Sequence, residues 1–294
     1  MDSSELNKDN IILGEKMQYA RLEINGQSGL YGFDNGSYYA IKTDNGKPVD
    51  LLEAMVAGDQ LELWAKAALN EPAMKDYRYL PAVPRGSKII CIGTNYKKHL
   101  LEVGQPFPQY PVIFSKLDNA LAAHEETIEL PLNANKFDYE AELVLVIGRQ
   151  GKQIPLEKAL SHVFGVTCGN DLSARDLQFQ TSQWLFGKTP DAFGPLGPHI
   201  LVLKGIDPDN LEISLRLNDE VRQHGNTADM IFNCAELISF ISQAITLMPG
   251  DVIFTGTPEG VIQGYPENKR VWLKAGDIVE VMLEGLPPLR NTLS

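Results

Sequence analysis

Long apolar runs are missing from the 294 residues: nothing approaches the roughly 18 to 20 consecutive apolar positions of a membrane-spanning helix. The opening MDSSELNKDN also lacks the basic and apolar regions of a secretory signal, so a cytoplasmic protein with no membrane partner is expected. Cysteine is scarce. Cys91, Cys168 and Cys234 are odd in number and far apart, which excludes a disulfide framework and a CxxC metal site and leaves buried free thiols. Positive charge is short as well: 26 Lys and Arg against 38 Asp and Glu give a net charge of −12, the wrong sign for a phosphate backbone, and nucleic acid is not an expected partner. Internal repeats are absent, and the TGTPEG turn lacks the Gly-Lys-Ser/Thr of a nucleotide P-loop. What is present is a globular mixture, 44% hydrophobic and 22% charged, which excludes a disordered or low-complexity chain.

Residues 1–16 are polar and without period and read as a flexible arm. From Met17 to about Lys47, the breaks NGQSG, DNGS and DNGK mark the hairpins of a small β-meander. Residues 50–70 carry Leu51, Leu52, Met55, Leu61, Leu63 and Trp64 at helical spacing, interrupted at Gly58. Pro81 and Pro84 then set a border between a small N-terminal domain, 17–83, and a larger one, 84–294. The larger part alternates short β runs with turns. Two helices interrupt it, one starting at Pro155 and one over about 227–247. Strands outnumber helices too heavily for a doubly wound or eightfold barrel fold, which leaves a β-rich α+β class.

Chemistry concentrates in a few segments. In FDYEAELVLVIG, Glu140 and Glu142 stand two apart on a strand, so both carboxylates leave the same face. The apolar run Leu143 to Ile147 argues that this face is inside, and two buried carboxylates need a positive partner, of which a hard divalent cation is the simplest. The competing reading is a charged pair on an edge strand. In NDLSARDLQ, Asp171 could add a third carboxylate; the alternative is a helix-capping cluster with Arg175 and Asp176 as solvated neighbours. His99 and Glu102 lie three apart on a short helical stretch, either an imidazole oriented by a carboxylate as a general base or a weak surface ion pair. Lys188 sits between an aromatic run and a Gly/Pro loop, placed to meet an oxyanion or simply to snorkel at the surface. Thr257, in the turn TGTPEG, is either a substrate contact or an ordinary turn residue. His124, His162, His199 and His224 share no ligand spacing and read as structural.

The ordered segments NYKKHLLE, DYEAELVLVIG, NDLSARDLQ, GKTPDAFGPLGP, LNDEVRQHGNT and PGDVIFTGTPEGV resemble the fumarylacetoacetate hydrolase family. The resemblance implies a mixed β-roll catalytic domain behind a small N-terminal α+β domain, a homodimer, and Mg2+ as cofactor, with Mn2+ or Ca2+ as alternatives. It implies Glu140, Glu142 and Asp171 as metal ligands, His99, Glu102 and Lys188 as catalytic residues, and Arg175, Gln178 and Thr257 around a small 2-oxo or 1,3-diketo acid substrate. The expected reaction is hydrolysis of a C–C bond in an acylpyruvate-like acid, as in aromatic catabolism, with water activated by His99. The alternative is decarboxylation or tautomerisation of a 2-oxo diacid through the same enolate chemistry. The segment from Thr94 to Gly104 is polar and has only Leu100, Leu101 and Val103 to anchor it, so it is expected to behave as a lid, with His99 away from the metal or poorly ordered until a chelating ligand binds. Two departures from the family pattern, Gly93-Thr94-Asn95-Tyr96 and Val261-Ile262-Gln263-Gly264, fall near the mouth of the site and bear on the substrate's distal group.

Overall fold

A computed structural model describes residues 17–294, and the expected arm, residues 1–16, lies outside them. The strands Gln18–Ile24, Gln27–Asp34 and Ser37–Ala40 form the expected meander. Asn25-Gly26 and Asn35-Gly36 fill its two-residue turns at positive φ, the backbone that tight hairpins require. The meander continues into the main sheet, because Gln18–Ile24 pairs antiparallel with Gly194–Val202. From there the sheet runs through Val163–Asn170, Ala141–Ile147, Val252–Phe254 and Ile89–Gly93 to Val112–Lys116. Eleven strands therefore span both sides of the expected border at position 84. A second sheet of five strands is built around Glu212–Leu217 and Ile278–Leu283.

Ala141–Ile147 is central rather than an edge, and all seven of its residues are buried. Its alternation serves two cores. Leu143, Leu145 and Ile147 pack with Ile213, Leu215 and Leu237, whereas Val144 and Val146 face Ile89, Leu196 and Phe254. Glu142 shares the second face, so a carboxylate is delivered into the interior by the period of the strand itself.

The helices are shorter than their apolar periodicity predicts. Residues 50–70 form Leu51–Ala57 and Asp59–Ala68, divided at Gly58. The stretch after Pro155 is a 3-10 helix, Leu156–His162, rather than an α-helix. The predicted helix over 227–247 is Cys234–Ala244, started by a reciprocal capping box between Asn233 and Glu236. The apolar residues on either side, Met230 and Leu247, belong to loops packed on the same core. All three cysteines are free and buried. Among the described residues no helix is long and apolar enough to cross a membrane.

Candidate active site

Glu140 immediately precedes the central strand and Glu142 lies within it, while Asp171 immediately follows Val163–Asn170. Antiparallel pairing sets Ala141 opposite Asn170, which brings the ends of both strands to one place. The Asp171 amide donates to the Glu140 carbonyl at 2.9 Å, and the Asn170 side chain accepts from the Glu140 amide at 3.0 Å. One carboxylate oxygen from each of Glu140, Glu142 and Asp171 falls within 4.8 Å of the others, and all three residues are buried. Neither the edge-strand pair nor the solvated capping cluster describes these residues. Burial has removed the water that both readings need.

Three buried cations surround the carboxylates. Lys188 Nζ donates to Glu140 Oε2 and Asp171 Oδ2 at 2.6 Å each. Arg175 donates from Nη2 to Glu140 Oε1 at 2.7 Å, from Nε to Asp138 Oδ2 at 2.9 Å and from Nη1 to Gln178 Oε1 at 3.0 Å. Lys116 Nζ lies 2.6 Å from Asp171 Oδ1 and donates to the carbonyls of Leu172, Phe193 and Lys188. Four carboxylates, counting Asp138, thus face Lys116, Arg175 and Lys188. Glu142 is the one left over: among the described residues no cationic side chain pairs with it, and the Gly256 amide donates to its Oε2 at 2.7 Å.

The titration behaviour follows from this imbalance. Burial and the neighbouring Asp171 and Glu140 push the Glu142 carboxyl well above its ordinary range. Burial would also raise Glu140, yet Lys188 and Arg175 outweigh it and bring that group down to about 2. Asp171 is raised because burial exceeds the pull of Lys116 and Lys188. Burial disfavours charge on Lys188, but Asp171 and Glu140 overcome it and hold the ammonium protonated. An all-oxygen donor set with one negative charge uncompensated fits a hard divalent cation. Glu140, Glu142 and Asp171 are the residues that would hold it.

Above the carboxylates, the short helix Lys97–Val103 presents His99 and Glu102 on one face, with His99 Nδ1 3.3 Å from Glu102 Oε2. The Gly260 amide lies 3.2 Å from each Glu102 oxygen, donating to that carboxylate. Gly264 approaches so closely that a Cβ there would lie 2.4 Å from Glu102 Cδ. The helix is thus docked through Glu102, and His99, itself buried, lines a cavity of about 590 Å³ together with Glu140 and Glu142. Gln178 and Thr257 line the same cavity, and Thr257 Oγ1 accepts from Gln223 Nε2 at 2.9 Å. All nine residues singled out in the sequence thus converge on one site.

Sequence reasoning missed Lys116 and Asp138. Lys116 ends the strand Val112–Lys116, and nothing in PVIFSK distinguishes it from a surface lysine. Asp138 was accessible, since it extends the two-residue spacing of Glu140 and Glu142 by one step. Its oxygens accept from Arg175 and from the Ile262 and Gln263 amides, at 2.8 and 3.0 Å for the two amides, tying the late loop to the site.

A strand-rich α+β fold buries three carboxylates, which could hold a divalent cation, beside a histidine–carboxylate dyad. The chain belongs to the fumarylacetoacetate hydrolase family: residues 88–294 match the family described as fumarylacetoacetate (FAA) hydrolase C-terminal. It is 40% identical over 272 residues to the mitochondrial oxaloacetate tautomerase fahd2 of Xenopus laevis, covering 90% of this chain and 84% of the relative. Among solved structures it resembles a fumarylacetoacetate hydrolase from psychrophilic Exiguobacterium antarcticum, with TM-score 0.83, 33% identity, and 95% and 99% of the two chains covered. A fumarylpyruvate hydrolase from Pseudomonas aeruginosa, solved with Mn2+ and pyruvate, matches with TM-score 0.64, 31% identity, and 76% and 91% coverage. The likeness to a tautomerase supports the alternative reaction more strongly than the expected C–C hydrolysis.

Proposed function

We propose that the chain tautomerises a 2-oxo diacid of the oxaloacetate type, with a divalent cation held by Glu140, Glu142 and Asp171. The observation that carries this reading is that His99 lines one cavity with Glu140 and Glu142, with Asp171 buried against Lys188 behind them and Glu102 engaging the far side of the imidazole. An ionised carboxylate can only accept, so His99 Nδ1 carries the hydrogen, and in the neutral imidazole Nε2 is the atom with the lone pair. Keto–enol conversion moves one proton between C3 and the oxygen on C2. In enolisation His99 Nε2 takes the proton from C3 and solvent supplies one to the C2 oxygen; in ketonisation the oxygen releases its proton to solvent and the imidazolium returns one to C3. Lys188, held charged by Glu140 and Asp171, offsets negative charge developing on the C2 oxygen, and the Thr257 hydroxyl is free to donate to it. When bound, the cation supplies Lewis acidity and a template for the 2-oxo acid. No attacking water is required.

The likeness to the Xenopus tautomerase over most of both chains supports this reaction. Hydrolysis of an acylpyruvate is the second reading, favoured by the likeness to the fumarylpyruvate hydrolase; there His99 would deprotonate water instead of C3. Mg2+ and Mn2+ both suit the oxygen donors, and a homodimer remains the proposed assembly. Incubating the protein with acetylpyruvate, oxaloacetate and a 2-oxo-dienedioate, with Mg2+ or Mn2+ present, separates the readings by product. Tautomerisation leaves the carbon skeleton of oxaloacetate whole. Pyruvate and acetate appearing from acetylpyruvate at a comparable rate would favour hydrolysis.

A further inference from the structure

Three cationic side chains line the cavity, and two are already neutralised: Lys188 by Glu140 and Asp171, and Arg175 by Asp138 and Glu140. The third, Arg270, pairs with no carboxylate among the described residues. Its Nε donates to the Tyr265 carbonyl at 2.8 Å, which tethers the side chain, and among the described residues neither Nη group has a protein acceptor. Arg270 follows the 3-10 turn Glu267–Lys269, on a segment fastened upstream by the Ile262 and Gln263 amides to Asp138. The same carboxylate orients Arg175, so the guanidinium is carried by a loop anchored to the acidic site.

We propose that Arg270 receives the second carboxylate of a 2-oxo diacid and so sets the selectivity of the pocket for diacids over monoacids, a role that rests on the tautomerase reading. A diacid whose keto end is held beside the triad must place its other carboxylate in the same cavity. Near the triad that group would meet like charge, and without a cation its desolvation would be strongly unfavourable. A tethered, planar guanidinium with two free Nη groups offers the paired donors that a carboxylate accepts. A monoacid leaves those donors unpaired. The side chain therefore favours one class and penalises the other.

The test is calorimetry on Mn2+-loaded protein with malate and 2-hydroxy-4-methylpentanoate, stable acids of matched shape that differ in the charge of the distal end. Wild type should bind malate roughly 10- to 100-fold more tightly, the scale of a charge-assisted bidentate contact. Arg270→Gln should abolish that preference while holding monoacid affinity within about twofold, and Arg270→Lys should keep part of it because it keeps the charge. A preference for malate that survives Arg270→Gln overturns the proposal, as does its absence in wild type. Parallel loss of both affinities also overturns it, since that would mean Arg270 merely holds the loop through Tyr265. Loss of the preference in Arg270→Gln alongside a wild type that fails to tautomerise oxaloacetate leaves the diacid subsite standing and removes the tautomerase reading. Tautomerisation with a preference insensitive to Arg270 does the reverse.

Discussion

Glu142 differs from its neighbours by having a backbone amide where Glu140 and Asp171 have lysine or arginine. Glu142→Gln removes the uncompensated charge at almost constant volume. Mn2+ affinity should fall by more than the roughly 10- to 100-fold typical of losing an outer-shell partner, since Glu142 is a direct ligand in the proposed site. The metal-free variant should melt no lower than wild type, because an unpaired buried carboxylate has gone. Calorimetric titration and a thermal melt check both, and undiminished Mn2+ affinity would remove Glu142 from the ligand set. His99→Ala should leave Mn2+ and oxalate affinity intact and lower tautomerisation about 100-fold, within the usual range for a lost general base. Wild-type turnover in that variant would move the base elsewhere. The carboxylates were legible in the sequence because a strand's period of two forces Glu140 and Glu142 to one face, and the apolar run after them puts that face inside. Lys116 and Arg270 were not, because a lysine or arginine at an element's end carries no mark of which acid, if any, the tertiary fold brings to it.

The helix Lys97–Val103 is short, and its position depends on what it touches. Glu102 reaches the Gly260 amide, and the helix can settle there only because Gly264 has no side chain. Gly264→Ala should therefore act on Glu102 from outside the helix. The clash falls on the flexible end of Glu102, so stability should change by less than about 1 kcal/mol while activity drops as far as in Glu102→Ala. A large fall in melting temperature would show instead that the loop backbone cannot accept the methyl group. The sequence showed a short helical stretch carrying His99 and Glu102, but not its docking, which depends on a loop some 160 positions later in the chain. Helix lengths were misjudged for a related reason. Apolar periodicity over 227–247 reports burial on one core, and the Asn233–Glu236 capping box, not the periodicity, sets where the helix begins.

Across the whole molecule, the meander and the catalytic strands share one sheet, and His199 lies where they meet. It sits opposite Ala20 in the register, with Nε2 2.6 Å from the Tyr38 hydroxyl and Nδ1 2.8 Å from Gln18 Oε1. Burial, with His124 nearby, lowers its pKa to about 3, against roughly 6.5 in an unfolded chain. The unfolded state then binds the extra proton between those values. Stability from this group is full above about pH 6.5 and falls on acidification toward 3, by up to about 1.4 kcal/mol per pH unit. Urea unfolding at pH 7.5 and pH 5 should show a smaller loss in His199→Gln than in wild type, and equal losses would place the titration elsewhere. Hairpin dipeptides revealed the meander, but its pairing with Gly194–Val202 joins strands about 180 positions apart, a distance over which no local pattern reports. In the proposed reaction His99 moves a proton at C3 of a 2-oxo diacid that Glu140, Glu142 and Asp171 would hold through a divalent cation. The most direct measurement is proton NMR of oxaloacetate in D2O with Mg2+ and catalytic protein. The expected result is accelerated deuterium incorporation at C3 with the carbon skeleton intact, dependent on the cation and lost in Glu142→Gln and His99→Ala. Exchange no faster than with Mg2+ alone would contradict the account.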